Sequence, residues 1–200
     1  VSGLIKNNNN VTKSVGTNNW DAGSFSHNSI NSNGFFQFVA SETNKNRMIG
    51  LNAVNTNFSY TDIDYAFYLT GSALHIYENG SNRGNVGTYN TNDTLRIDVA
   101  GNVVKYLKNN TVIYTSSIAP TFPLFVDCSI NGVGGTFIQS KIGNATHGNF
   151  RAITDNVGDN PSFQWKLNGI NVGSNTSTYS NDTLKETDEI TCELTADFQN

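Results

Sequence analysis

Asp62 and Asp64 stand one residue apart in "SYTDIDYAFYL", and of all the side chains in this sequence they come nearest to a catalytic spacing. A β-strand carries residues i, i+2 and i+4 on one face. Two carboxyls about 5 Å apart are what a retaining glycosidase needs, one as nucleophile and one as proton donor. The third place of such a strand motif falls here on Ala66 or Phe67, and neither can donate a proton. Glu42 and Glu78 lie in other segments, with no reason to converge on the pair. The expectation is a chain that binds without cutting: no catalytic residue, not an enzyme. Calcium accepts hard oxygen donors such as Asp62, Asp64 and nearby Asn amides. The dense Asp/Asn loop of a calcium site is missing, however, and Asp127 is far away in sequence, so no metal is assigned. The plainer reading leaves Asp62 solvated at a loop end and gives Asp64 hydrogen bonds from neighbouring backbone amides.

Trp20, in "NNWDAG", offers a different chemistry. Sugar CH groups stack on an aromatic face while hydroxyls bond to flanking amides and carboxylates, here Asn19 and Asp21. The competing reading makes Trp20 a plug at one end of the core. Tyr60, Tyr65, Tyr77 and Tyr89 raise the same question, although tyrosine is also an ordinary half-buried strand residue. The candidate ligand-binding set is therefore Trp20, Asp21, Tyr60, Asp62 and Asp64. His27, His75 and His147 are scattered, with no Ser or Cys partner at a recognisable elbow, so a nucleophilic triad has no support.

The elements that must position these residues are strands. Helix-period stretches are nearly absent, and period-two runs bounded by Gly and Asn recur throughout. In "GFFQFVAS", Phe36, Phe38 and Ala40 share a face. Leu74, Ile76 and Glu78 alternate against Ala73, His75 and Tyr77. Leu95, Ile97 and Val99 share a face before a turn at Gly101-Asn102, and Val104 and Tyr106 precede another at Asn109-Asn110. Asn and Gly tolerate positive φ, which makes these hairpins. About a dozen short strands up to Ile142 imply two packed sheets rather than a small barrel. "GNATHGN" lacks an apolar pattern and reads as a linker over 143–149, after which the grammar changes. Trp165 in one strand and Cys192 in a later one follow an immunoglobulin-like spacing whose upstream Cys is absent. Cys128 and Cys192 have no metal or redox spacing and are expected as buried thiols in separate sheets.

Composition narrows the partners. Only 14% of the 200 residues are charged and the net charge is −4, so there is no basic stripe for nucleic acid. No apolar run approaches the roughly 18 residues of a membrane span. Neutral polar residues supply the solubility, as is common outside cells. The start, "VSGLIKNNNN", has neither an initiator Met nor the order of a signal peptide, which suggests an internal or processed piece.

Five stretches, "NNWDAGSFS", "FFQFVASETNKNRMIGL", "YTDIDYAFYL", "IYENGSNRGNVGTY" and "VVKYLKNNTVIYTSS", resemble in order a concanavalin A-like lectin/glucanase domain of the SPRY-like form. That form recurs in long secreted and surface proteins of gliding bacteria. The resemblance covers residues 1–142, and residues 150–200 resemble a truncated bacterial Ig-like module. It implies an all-β jelly-roll sandwich followed by a smaller Ig-like sandwich, at an extracellular or cell-surface address. The expected role is adhesion or glycan binding, with a glycan or surface polysaccharide and other domains of a longer parent chain as partners. A purely structural stalk or fibre module is the alternative, and a glycoside hydrolase ranks behind both. "DTL" at Asp93 and Asp182 resembles a triplet that some of these bacteria O-glycosylate, which would place sugar on Thr94 and Thr183.

Overall fold

Alternation over the first two thirds of the chain produces two antiparallel sheets packed face to face. The computed structural model describes residues 3–144, 146–155, 157–184 and 187–197. The chain divides into two compact units between residues 144 and 145.

In the first unit, a seven-stranded sheet runs in spatial order β1 (Leu4–Asn7), β2 (Asn10–Lys13), β13 (Thr136–Asn144), β4 (Gly34–Ala40), β9 (Thr94–Ala100), β10 (Val103–Lys108), β11 (Thr111–Thr115). Against it lies a six-stranded sheet: β3 (Ala22–Ile30), β12 (Leu124–Ile130), β5 (Arg47–Asn52), β6 (Tyr65–Thr70), β7 (Ala73–Glu78), β8 (Ser81–Thr88). Asn and Gly make the hairpins for the expected reason. Gly101 and Asn102 hold φ of +56° and +64°, and Asn109 and Asn110 hold +49° and +66°, the left-handed pairs that match strand twist.

The core fills the space between the sheets. Phe36, Phe38, Ala40, Leu95, Ile97 and Val99 from one sheet meet Ile49, Leu51, Phe67, Leu69, Leu74 and Ile76 from the other, all buried. Tyr65 and Tyr89 also belong to this core; their hydroxyls donate to the carbonyls of Ala119 (2.9 Å) and Gly71 (2.8 Å). Alternation carries Glu78 inward as well, and it is fully buried. Its carboxylate lies 3.2 Å from Arg83 Nε and accepts from the Tyr106 hydroxyl at 3.3 Å. At one end Arg47, also fully buried, pairs with Glu42 at 2.9 Å. Both glutamates are thus engaged with cations of their own, Glu78 inside the sandwich and Glu42 partly exposed at its end.

Within the stretch read as a linker, residues 143–144 and 146–149 are strand, on either side of the boundary between the units. β13 continues to Asn144, its last residues paired to Phe35 and Gly34 of β4, and β14 (Thr146–Arg151) begins two residues later. Backbone pairing needs no apolar side chains, which is why "GNATHGN" misled. In the second unit, β14 pairs with β17 (Thr178–Leu184), and β15 (Ser162–Leu167) lies between β16 (Ile170–Val172) and β18 (Ile190–Thr195). Trp165 is buried there, its indole N–H donating to the Thr176 carbonyl at 2.8 Å and its ring stacked with Tyr179. Register sets Cys192 opposite Trp165. Both cysteines are free; Cys128 is buried as expected, but Cys192, on a strand with an open face, is only half-buried.

β5 and β6 approach so closely that position 50 admits only glycine, since a Cβ there would lie 1.7 Å from the Tyr65 carbonyl oxygen. Gly50→Ala is expected to destabilise the first unit by about 3 kcal/mol or more, the upper end of overpacking costs. Urea denaturation reads this directly, and an unchanged midpoint would contradict the packing.

Candidate functional site

The face of the six-stranded sheet turned away from the core carries the site. Register aligns Asp127, Gly50, Ala66 and Tyr77 in one row across it, and Ser129, Met48, Tyr68 and His75 in the next. Small side chains at Gly50 and Ala66 leave a shallow bed, and two loops fold onto it.

The first loop brings Trp20. Its anchor is the ammonium of Lys13, which is fully buried. Around its three N–H donors lie five oxygens within hydrogen-bonding range: the carbonyls of Thr17 (2.8 Å), Asn19 (2.7 Å), Ile130 (3.2 Å) and Asn131 (3.0 Å) and the Asp21 carboxylate. Asn18 accepts from the Val133 amide at 3.0 Å, tying the loop again to the β12–β13 turn. The hydrogen bond and charge of Lys13 hold Asp21 below the usual carboxylate range. Asp21 is therefore committed to the scaffold before any ligand arrives.

The second loop, residues 53–64, brings Tyr60 and the two aspartates. A single 3-10 turn at Tyr60–Asp62 is capped by Ser59, whose hydroxyl accepts from the Thr61 amide. Ile63 plugs into the bed with Met48 and Ala66, all three buried. Over them lie four rings in a closed circuit: Trp20 to Tyr60 (5.0 Å between centroids), Tyr60 to Tyr77 (6.1 Å), Tyr77 to Tyr68 (5.5 Å) and Tyr68 back to Trp20 (5.8 Å). His75 joins at 6.0 Å from Tyr68. Each ring is only partly buried. Trp20 thus lies on the outer face of a sheet, in contact with other rings, and does not plug the core.

Asp62 and Asp64 flank the plug. Asp62 accepts from the Thr56 amide (2.7 Å), the Thr56 hydroxyl (2.6 Å) and the Asn57 amide (3.4 Å), while Asp64 accepts from the Ala53 amide (2.8 Å). Beside them lies a third acid, Asp127, almost wholly buried. The Asn52 amide bridges it to Asp62, at 2.9 Å to Asp127 and 3.4 Å to Asp62. Burial works to raise the Asp62 carboxyl, but its hydrogen bonds from Thr56, Asn57 and Asn52 outweigh it and hold the group low. Asp64 is raised by burial, against its bond from Ala53. Asp127 is pushed up to about 7 by burial, opposed by the Asn52 bond and reinforced by the charges of Asp62 and Asp64.

This arrangement revises the expectation of a missing proton donor, since Asp127 keeps its proton up to near neutrality. It is buried under loop 53–64, whose Phe58 carbonyl accepts from Ser129 at 2.8 Å. The acids pin a loop, and among the described residues no group of three or more His, Cys, Asp or Glu is arranged to hold a metal ion. Tyr68 and Asp127 are the two residues that sequence reasoning passed over. For Tyr68 a signal existed: with Tyr65, Phe67 and Leu69 inward, alternation sends Ala66 and Tyr68 outward. Thr94 opens β9, half-buried, its amide donating to Asn109. The Thr183 side chain, like that of His147, lies outside the described residues.

No family model matches the chain, and no curated protein matches its sequence. Solved structures do resemble it. The TRIM65 PSpry domain aligns with a TM-score of 0.51 at 11% identity, over 68% of this chain and 80% of that one. The SPRY domain of human HERC1 aligns with a TM-score of 0.50 at 13% identity, over 70% and 91%. A carbohydrate-binding module, CBM66 from Bacillus subtilis, aligns less well, with a TM-score of 0.40 at 15% identity over 61% and 82%. The first unit therefore has the concanavalin A-like, SPRY-type jelly-roll fold.

Asp127 gives the site a testable pH signature. Its native value near 7 exceeds the ordinary 3.8, so the folded state binds the proton more tightly than the unfolded chain. The stability this supplies is fully present below 3.8 and is lost as pH rises through about 7, on the order of 4 kcal/mol in total. Asp127→Asn, neutral throughout, is expected to flatten stability between pH 5 and 8 and to exceed the unmodified chain at pH 8. Parallel urea titrations at the two pH values check it, and an identical slope in both proteins would contradict the assignment.

Proposed function

We propose that the first unit is a non-catalytic glycan-recognition module of a larger secreted or cell-surface protein, followed by an Ig-like spacer. The observation that carries this reading is the ring circuit of Trp20, Tyr60, Tyr68 and Tyr77, partly exposed on a sheet face and pinned from below. Sugar CH groups stack on such rings, and neighbouring polar groups orient the hydroxyls. Weak single-site affinity would be raised by repetition along a parent chain. Among the described residues no helix is long and apolar enough to cross a membrane, and an extracellular or surface address is part of the proposal.

The purely structural reading has one observation in its favour: the same rings cover Met48, Ile63 and Ala66, as a satellite core would. The two readings differ in what substitution does. A glycan array probed with the intact chain identifies the ligand. Trp20→Ala and Tyr68→Ala are then each expected to lower affinity about tenfold, roughly 1.4 kcal/mol, with the remaining fold retained by circular dichroism. A folded chain that binds no glycan, or ring variants that bind as well as the original, would leave the structural reading standing. Release of reducing ends from a bound polysaccharide would overturn the non-catalytic half.

A further inference from the structure

A second concavity lies away from the ring circuit, where the two sheets part along one side of the sandwich. It occupies about 390 Å³, within the range of small-molecule sites. Its mouth lies between the β3 edge of one sheet and the β1–β2–β13 edge of the other, so an unclosed sandwich edge creates it. The floor is the core itself: Phe36, Ile49 and Cys128, each at most 3% exposed, with Val126 and Ile142 on the flanks. Such a floor offers no polar partner to water.

The mouth has the opposite character. Lys6 on β1 and Lys141 on β13 line it, with His27 on β3. None of the lining residues is acidic, although the chain carries 16 acids against 12 Lys and Arg. Neither lysine makes an ion pair or side-chain hydrogen bond among the described residues. A bulge in β13 between Ile138 and Lys141, with Gln139 at φ +53°, shapes this wall. It leaves the Ser140 hydroxyl buried with no hydrogen-bond partner.

We propose that this cleft binds an alkyl monocarboxylate, its chain along Val126 and Ile142 over the floor of Phe36, Ile49 and Cys128, and its carboxylate at the mouth with Lys6 and Lys141. Two cations without counter-ions select an anion, and the dry floor selects an apolar body. Each half alone is weak; together they discriminate. Sugars meet the ring circuit on a different face, so this site and the proposed glycan site stand or fall separately.

The test is a titration of the intact chain with decanoate, decanol and acetate, followed by amide chemical shifts. Decanoate is expected to saturate one site and to move the signals of Ser24, Ser26, Val126 and Ser140. Decanol should bind at least tenfold more weakly, and acetate should not saturate. The charge reversal Lys6→Glu with Lys141→Glu, at two exposed positions, should lower decanoate affinity at least tenfold and leave decanol unaffected. Failure of decanoate to saturate, or shifts confined to other faces, would overturn the proposal. Equal binding of decanol would reduce the cleft to an apolar slot, and equal binding of acetate would reduce it to an anion patch; either result also overturns it.

Discussion

A single buried ammonium organises the working face of this protein. Lys13 Nζ has five oxygens around it, four from backbone carbonyls of the 14–21 loop and the β12–β13 turn and one from Asp21. A lysine without solvent is tolerable only when its charge and donors are met, and here that requirement dictates the path of the loop. Trp20 is delivered to the sheet because the residues on either side of it must close around a cation. The hydrogen bonds thus define a position that no propensity of the loop would hold.

The opposite side of the ring circuit is fixed by a different device. Loop 53–64 inserts Ile63 as a plug and is tied by Asp62, Asp64 and Asp127 through backbone amides, Thr56 and Asn52. Like charges this near one another are held together by donors, and the innermost acid answers by keeping its proton. Asp62 and Asp64 bond to backbone amides of this loop, and the aromatic surface beside them is the feature with a free face. Gly50 and Ala66 complete the arrangement: Gly50 lets β5 and β6 approach, and Ala66 packs with Met48 against the Ile63 plug.

Much of this was legible in advance, and the exceptions share a cause. The inward faces of β4, β7 and β9 followed from alternation, because a strand's side chains must point to opposite sides whatever lies beyond them. The Asn and Gly turns followed from their tolerance of positive φ. "GNATHGN" was misread because polar strands pair through backbone groups and leave no apolar trace. Asp127 was set aside because its partners are remote in sequence, and strand order alone sets β12 beside β5.

What the sequence by itself determined is therefore local: an all-β chain, which residues of each strand share a face, where the hairpins turn, and the lack of charge for a polyanionic partner. Only the tertiary structure decided that Trp20 joins Tyr60, Tyr68 and Tyr77, that Arg47 pairs with Glu42, and that Lys13 reaches Ile130, 117 positions away. Backbone geometry repeats every two residues and can be read along the chain. Which loop lands on which face depends on strand order and on satisfying buried charge, and neither leaves a periodic mark.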